Sequence, residues 1–171
     1  MTTRNSFGEG SPSAIHGEFM VVSWDHEGAS FIVALNKRTG AELWRRSRDE
    51  PTSWSTPLIV DVAGKAQVIV SASNKTRSYD LATGATIWEC AGLGTNVIPT
   101  PIYRDGVVYV ASGHRSPAMQ AIRIADAAGD LTGTDAVLWS IAENTPLQFS
   151  SRSPRTRPMS PRPCFKRTDS T

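Results

Sequence analysis

Short apolar segments bounded by turn residues recur along this chain. Phe19–Trp24, residues 66–71 and residues 106–111 are each six residues long, and each is apolar or alternates between apolar and polar positions. Segments of this length and period are typical of β-strands. Asp, Asn, Ser, Gly and Pro, which favour turns, are frequent between such segments. These turn segments are residues 25–28, 73–75 and 113–117. The pattern predicts strands joined by hairpins.

The segments belong to a repeat of about 44 residues. Residues 34–44 align without gaps with residues 78–88, and both read [N/D]-x-x-T-G-x-x-x-W. A second landmark, Ser11-Pro12, Thr56-Pro57 and Thr100-Pro101, recurs after 45 and then 44 residues and precedes a strand-like segment each time. Four strands per repeat of this length are typical of a β-propeller blade. The repeat therefore predicts one antiparallel blade per unit.

The repeated pentad has a physical explanation in the turn that it forms. Asn36 or Asp80 can hydrogen-bond the turn backbone, and Gly40 or Gly84 can adopt the positive φ that closes the last hairpin. The tryptophan four residues later can pack on the neighbouring blade, with its indole N–H on a buried acceptor. We assign this structural docking role to Asn36, Thr39, Gly40, Trp44, Asp80, Thr83, Gly84, Trp88 and Trp139.

The third unit departs from the pattern. It keeps Thr100-Pro101 and Trp139, but Gly133 lies six residues before the tryptophan instead of four. The tryptophans at 88 and 139 are 51 residues apart. We interpret the difference as an insertion near residues 124–129 that forms a surface loop at the edge of the third blade.

The motif at residues 34–44 and 78–88 resembles the tryptophan-docking motif of pyrroloquinoline-quinone (PQQ)-like propellers. That family includes quinoprotein alcohol dehydrogenases, the propeller lipoprotein of outer-membrane assembly, and exported bacterial proteins of unassigned role, and this sequence most resembles the last two groups. The resemblance implies an all-β fold, a partial β-propeller of about three four-stranded antiparallel blades. The expected blades are residues 8–48, 53–91 and 96–141. Relatives are typically periplasmic or exported, but no signal peptide is recognised in this sequence, so the location is undetermined.

Composition divides the chain after residue 144. Residues 1–144 carry a net charge of −3, whereas residues 145–171 carry +5 and five prolines. We therefore expect a propeller domain in residues 1–144 and a disordered Pro/Arg/Ser-rich tail in residues 145–171. A frameshift or truncated reading frame is our interpretation of the abrupt change. Nucleic acid is not an expected partner, although a basic tail that binds nucleic acid or acidic lipid remains an alternative.

The chain offers few candidates for chemistry. Cys90 and Cys164 lack metal-ligand spacing, and Cys90 is expected to be a buried thiol. Asp25, His26 and Glu27 are adjacent, so they cannot converge on one ion, and a solvated hairpin turn is the expected structure. Loop contacts with a partner are predicted at Asp25, His26, Glu27, Asn74, Lys75, His114 and Arg115. No catalytic, cofactor-binding or metal-binding residue is assigned.

These observations favour a non-catalytic propeller fragment that serves as a protein-interaction or scaffold module. Its partners would be proteins, or a second copy bound through the open blade edges, and no cofactor or membrane span is expected. The alternatives are a remnant of a PQQ-dependent oxidoreductase, which would bind PQQ with Ca²⁺, and a truncated product without independent function. The resemblance implies for such an enzyme a Cys-Cys disulfide and a Glu/Asn/Asp set for Ca²⁺, neither of which is matched in this sequence.

Overall fold

The computed structural model describes residues 10–113 and 116–142 and the backbone of residues 148–149. The predicted tail therefore lies almost wholly outside the described residues, as do His114 and Arg115. The strands are β1 (Ala14–His16), β2 (Phe19–Trp24), β3 (Phe31–Asn36), β4 (Glu42–Ser47), β5 (Leu58–Val62), β6 (Lys65–Val70), β7 (Thr76–Asp80), β8 (Thr86–Cys90), β9 (Ile102–Arg104), β10 (Val107–Ser112), β11 (Ala118–Arg123), β12 (Gly129–Asp130), β13 (Val137–Ala142) and β14 (Gln148–Phe149). None of the described residues lies in a helix long and apolar enough to cross a membrane.

Each repeat forms one antiparallel sheet. The first blade is β1-β2-β3-β4, the second is β5-β6-β7-β8, and the third is β9-β10-β11-β13, with the short β14 paired antiparallel to β13 as a fifth strand of the third sheet. The predicted all-β architecture of three four-stranded antiparallel blades is confirmed. We call the first strand of each blade its inner strand. The inner strands β5 and β9 begin directly after Pro57 and Pro101, as the Thr-Pro landmarks indicated.

Two hairpins join inner strands to the next strand through residues with positive φ. Ala63 and Gly64 have φ of 49° and 79°, and Asp105 and Gly106 have φ of 51° and 79°. Two consecutive residues with positive φ are typical of the type I′ turn, whose twist matches that of antiparallel strands. These turns fix the register of β5 on β6 and of β9 on β10.

The insertion in the third unit corrects our interpretation. We expected a surface loop at the edge of the third blade, but β12 pairs in parallel with β8 and so extends the sheet of the second blade. The amide of Leu131 donates to the carbonyl of Glu89 at 2.8 Å, and the Leu131 side chain is buried. The insertion lies at the surface as expected, with residues 125, 126 and 128–130 exposed, but β12 and the buried Leu131 attach it to the second blade rather than to the edge of the third.

Two hydrophobic clusters hold the blades together. Between the first and second blades the cluster comprises Val21, Ile32, Ala34, Trp44, Val68, Val70, Tyr79 and Leu81. Between the second and third blades it comprises Val60, Val62, Ile69, Trp88, Cys90, Val108, Val110, Ile122, Ile124 and Leu131. Each blade thus buries one face against its neighbour, which is how stacked repeats obtain a core that no single repeat could form. Cys90 is buried, as expected.

Candidate functional site: the loop end and the blade junctions

The predicted contact loops at described positions lie at one end of the blades. Residues 25–30, 71–75 and 113–117 connect the second and third strands of their blades, and residues 48–57 and 91–101 connect each outer strand to the next inner strand. Because neighbouring strands are antiparallel, these five segments meet at the same end. We call them the loop end.

A buried ion pair lies beneath the loop end. Arg48 Nε and Nη2 donate to the two carboxylate oxygens of Asp25 at 2.7 and 3.0 Å, and the side chains are 0% and 1% exposed. Ser53 Oγ donates to Asp25 at 2.7 Å, and Arg48 Nη1 donates to the hydroxyl of Tyr79 at 2.6 Å. The expected solvated turn was therefore wrong for Asp25, because an arginine from the linker covers and neutralises its carboxylate.

Burial and the Asp25 carboxylate shift the pKa of Arg48 in opposite directions. Burial lowers the pKa of the guanidinium and the adjacent carboxylate raises it, with a net rise above the ordinary value. Arg48 is therefore a permanent cation. A bidentate, charge-assisted pair of this kind fixes the geometry of both partners. It joins the β2–β3 loop of the first blade to the linker that leads into the second blade.

Glu50 extends the network into the second blade. Its side chain is fully buried and pairs with the guanidinium of Arg77. Its carboxylate also accepts the backbone N–H groups of Asn74 at 2.7 Å and Lys75 at 3.1 Å. Burial raises the pKa of Glu50, against the opposing effects of the Asn74 N–H and the arginines at 48 and 77. Glu50 therefore clamps the β6–β7 loop onto the linker.

Lys75 and Asp130 connect the insertion to the same network. Lys75 Nζ pairs with Glu89 on β8 and with Asp130 on β12. Hydrogen bonds from the Thr132 hydroxyl and backbone, together with Lys75, lower the pKa of Asp130 to about 2. The charges at the junction are thus compensated within the protein, and they position the insertion beside the loop end.

The predicted contact residues differ in accessibility. Asp25 is buried, and Lys75 is occupied by its two acidic partners. His26 is half-buried and accepts the Gly28 N–H at Nδ1, 3.0 Å away. Glu27 and Asn74 are exposed, and the Asn74 amide donates to the carbonyl of Asp49. Of the predicted contacts at described positions, Glu27 and Asn74 are the most accessible.

At the junction between the second and third blades, a cavity takes the place of the ionic network. Gly92 and Gly94 occupy the positions 44 residues after Arg48 and Glu50, and Gln120 Nε2 donates to the carbonyl of Ala91 at 3.0 Å. A cavity of about 290 Å³ opens here, lined by the two glycines and by residues that include Ser116, Pro117 and Ala142. Our sequence reasoning missed this cavity; the signal available was the loss of both charged residues from the second copy of the linker.

Trp44 connects the first two blades on their outer side. Its Nε1 donates to the carbonyl of Leu81 at 2.8 Å, and a Cβ added at Gly84 would lie 2.5 Å from Trp44 Cε3. The Gly84 turn itself has the predicted form, because Asp80 Oδ1 accepts the Thr83 N–H at 2.8 Å and Gly84 has φ of 72°. Only a residue without a side chain leaves room for the indole on this turn.

The other tryptophans have different surroundings. Trp88 is completely buried, but its Nε1 has no hydrogen-bond partner among the described residues. Trp139 is half-buried and lies 6.2 Å from the ring of Tyr109. Trp24 stacks on Phe31 with a centroid separation of 6.3 Å. Each of these rings takes part in packing.

A quinone-dependent enzyme of this fold would need side chains grouped to hold a metal ion. Within residues 10–113 and 116–142, no three His, Cys, Asp or Glu side chains are grouped so that they could hold a metal ion. Asp25 and Glu50, the buried carboxylates, are each held by an arginine. These two carboxylates therefore serve ion pairs within the fold.

Comparison with known proteins decides the family. The family model described as outer membrane protein assembly factor BamB matches residues 28–163, which is well over half of the chain. The chain belongs to this family. The resemblance to PQQ-like propellers inferred from the repeat is therefore confirmed. The BamB match also extends beyond residue 144, where composition suggested a domain boundary.

Individual members and structures agree with this assignment. A BamB from Francisella salina is 31% identical over 99 residues, which are 57% of this chain and 17% of that protein. The crystal structure of BamB from Moraxella catarrhalis has a TM-score of 0.50 at 22% identity and covers 73% of this chain and 33% of that one. This chain thus matches only a fraction of the length of these relatives.

Two dehydrogenase structures share the fold. A europium-containing methanol dehydrogenase has a TM-score of 0.54 at 14% identity, covering 81% of this chain and 25% of that one. The quinohemoprotein alcohol dehydrogenase from Comamonas testosteroni has a TM-score of 0.54 at 18% identity, covering 82% and 22%. At these identities the similarity is one of fold.

Proposed function

We propose that this chain is a non-catalytic protein-interaction module that acts in outer membrane protein assembly, the role for which its family and its relative from Francisella salina are named. The observation that carries the proposal is a loop end braced from beneath by buried ion pairs. A braced surface can bind a partner with little loss of conformational entropy, because its backbone is already ordered.

The contact surface would be built on the linkers. Val97 is completely buried and anchors the linker of residues 91–101, whereas the neighbouring Ile98 is 56% exposed. The Trp54 amide donates to the Val97 carbonyl at 2.8 Å, and Ser55 Oγ donates to the Pro99 carbonyl at 2.9 Å. An apolar side chain presented on an ordered backbone is a suitable anchor for a protein partner.

The cavity at the junction between the second and third blades supplies a recess formed in part by the linker that carries this anchor. Its lining glycines at 92 and 94 belong to the same linker as Ile98. The exposed Glu27 and Asn74 would form a polar rim at the first junction. An apolar anchor and a recess surrounded by polar groups are the usual composition of a protein-binding surface.

Enzymatic function receives no comparable support. The similarity to the two dehydrogenases is limited to the fold, at 14% and 18% identity. A fold that carries several chemistries does not identify one of them, so a catalytic role would have to rest on a site in this chain.

Site-specific photo-crosslinking tests the proposal. A photoreactive amino acid replaces Ile98 at the loop end or, as the matched control, the exposed Ala82 in the β7–β8 turn at the opposite end. The probe is the detergent-solubilised outer membrane protein assembly machinery of Moraxella catarrhalis. We expect crosslinks to its components from position 98 and few from position 82. Equal crosslinking at both positions, or none at either, would contradict the proposal.

A further inference from the structure

Two buried hydroxyl groups in the second blade have no hydrogen-bond partner among the described residues. They belong to Ser71 and Thr76, whose side chains are both 0% exposed. Leaving a buried hydroxyl without a hydrogen bond is costly, and buried polar groups are generally paired with protein or with ordered water. The two hydroxyls are therefore candidate ligand-binding groups.

Ser71 and Thr76 lie next to each other on the face that meets the third blade. Thr76 pairs with Cys90 on β8, and Cys90 belongs to the hydrophobic cluster between the second and third blades. Val70 pairs with Arg77, so the same antiparallel register places Ser71 opposite Thr76. Side chains directly opposite each other share a face, with Cβ atoms about 4.5–5.5 Å apart. One small molecule can therefore contact both hydroxyls.

The residue at the place of Thr76 in the first blade is apolar. Ala34 and Ser78 are the strand partners of the tryptophans at 44 and 88, so Ile32 corresponds to Thr76. Ile32 is 0% exposed and packs in the cluster between the first and second blades. Threonine has the branched shape of isoleucine, but a hydroxyl replaces the longer branch. The second blade thus has a shorter, polar side chain where the first blade has an apolar contact.

The surroundings of Thr76 are also built from smaller side chains than those of Ile32. At the junction between the first and second blades, Arg48 of the linker donates to the hydroxyl of Tyr79. The corresponding residues at the junction between the second and third blades are Gly92, 44 residues after Arg48, and Ile122. Their smaller volume, added to the shorter side chain of Thr76, leaves room for a small molecule.

The third blade and the linker close this place with a polar group. Gln120 is 5% exposed, and its Nε2 donates to the carbonyl of Ala91 at 3.0 Å. Its Oε1 lies 4.0 Å from Cys90 Sγ, on the strand next to Thr76. The linker backbone packs tightly on the same amide, since a Cβ added at Gly92 would clash with Gln120 Nε2. The region around the two hydroxyls is therefore enclosed by protein and not wholly apolar.

We propose that the hydroxyls of Ser71 and Thr76 bind one buried water molecule at the junction between the second and third blades. Water fits because the place is fully buried and one water can accept a hydrogen bond from one hydroxyl and donate to the other. Glu50 holds the β6–β7 loop from the side of the first blade, through the amides of Asn74 and Lys75. The water joins the two ends of the same loop on the side of the third blade. The inference goes beyond the proposed function, since this water requires no protein partner.

X-ray crystallography of the 171-residue chain at high resolution locates the water directly. We expect an isolated density peak about 2.5–3.0 Å from both Ser71 Oγ and Thr76 Oγ1. Thr76→Val keeps the shape of the side chain and removes its hydroxyl, so the peak should be lost. Ser78→Ala is the matched control and should leave the peak in place. Ser78 lies on the same strand and face, but its hydroxyl donates directly to Gln67 Oε1 at 2.9 Å.

Urea unfolding tests the same water in solution. Ser71→Ala and Thr76→Val should each raise the unfolding equilibrium constant about tenfold, because the water and the remaining hydroxyl lose a hydrogen bond. The double variant should raise it by less than the product of the two single effects, since both substitutions remove one shared interaction.

Three results would overturn the inference. The first is independent effects of Ser71→Ala and Thr76→Val on unfolding. The second is density that shows the two hydroxyls bonded to each other or to the backbone with no water between them. The third is a peak that persists unchanged in Thr76→Val.

Discussion

Trp44 on β4 and Trp88 on β8 occupy equivalent positions in adjacent blades, because each pairs with the residue just before a register shift on the neighbouring strand. Of these two indoles, only that of Trp44 has a hydrogen-bond partner among the described residues. Its acceptor is the carbonyl of Leu81, 2.8 Å away. The corresponding carbonyl in the third blade belongs to Ile124, which instead accepts the Ala127 N–H at 3.4 Å at the start of the insertion. Because of the insertion, the junction between the second and third blades lacks a hydrogen bond that is present at the junction between the first and second blades.

This difference predicts the relative effects of replacing the two tryptophans. Trp44→Phe removes a hydrogen bond and leaves the Leu81 carbonyl without its partner, which typically costs about 1 to 3 kcal/mol. Trp88→Phe removes a buried N–H that is unpaired, so its loss of stability should be smaller by about 1 kcal/mol or more, although Trp88 is the more deeply buried ring. Urea unfolding of both variants measures the difference. A larger loss for Trp88→Phe would contradict the assignment.

Gly84 should be more sensitive to substitution than other glycines with positive φ. Gly84→Ala and Gly64→Ala introduce the same backbone strain, since φ is 72° and 79°, and this strain costs about 1 to 2 kcal/mol. At Gly84 the methyl group would also lie 2.5 Å from Trp44, whereas at Gly64 it meets no atom of the described residues within 4 Å. We expect Gly84→Ala to lower the thermal unfolding midpoint clearly more than Gly64→Ala. Equal shifts would show that Trp44 does not depend on this turn.

The sequence allowed the blades to be predicted because their signals are local. The Asp80–Gly84 turn and the tryptophan that follows lie within nine residues, and the repeat gave the blade spacing. The position of β12 could not be predicted in this way, because its pairing with β8 joins residues about 40 apart that belong to different repeats. An insertion in a repeat can pack on either neighbour, and its spacing alone does not distinguish them.

The buried ion pair was missed for a related reason. Asp25 and Arg48 are 23 residues apart, and each taken alone is typical of a solvated loop. They meet because the β2–β3 loop and the following linker lie at the same end of the sheet. Burial of Asp25 depends on this topology and on the arginine that covers it, and neither is visible in the three-residue cluster with His26 and Glu27.

Removal of either partner of this ion pair should be strongly destabilising. Asp25→Asn and Arg48→Met each leave a buried charge without its counter-ion, which typically costs about 3 to 5 kcal/mol. The double variant leaves no unpaired charge at this pair and should be more stable than the sum of the single effects predicts. Glu42→Gln, at an exposed ion pair with Arg45, is the control and should change stability far less, because solvent screens an exposed ion pair. Additive single effects in a urea-unfolding double-mutant cycle would argue against direct coupling.

Acid should release the insertion from the second blade. The pKa of Asp130 is lowered from 3.8 to about 2 by Thr132 and Lys75, and that of Glu89 is lowered by hydrogen bonds from Lys75 and Arg77. Because both folded-state values lie below the unfolded ones, the stabilisation is present above about pH 4 and is lost as pH falls towards 2.

The amide resonance of Leu131, which donates to Glu89 O, reports this release by NMR. We expect its shift to follow the titration of Asp130, and Asp130→Asn to abolish that pH dependence while Asp126→Asn, at an exposed position in the same insertion, preserves it. A Leu131 resonance that is constant from pH 5 to 2 would show that the carboxylate does not hold β12 in place.

Cys90 should be unreactive in the folded chain. Burial, with the field of Asp130 as a smaller contribution, raises the pKa of its thiol from 9.0 to about 11, which lowers the thiolate fraction at pH 8 about 100-fold, and the thiolate is the reacting species. In a Cys164→Ser background, alkylation by iodoacetamide at pH 8 should be at least 100-fold slower in buffer than in denaturant. The raised folded-state pKa of Cys90 also makes stability depend on pH. The stability contributed by the neutral thiol is full below pH 9 and is lost as pH rises towards 11. Unfolding should therefore become easier across that window, and Cys90→Ser should remove this pH dependence. Rapid alkylation of the folded chain would contradict this prediction. It would show that the junction between the second and third blades opens frequently and exposes the Cys90 thiol.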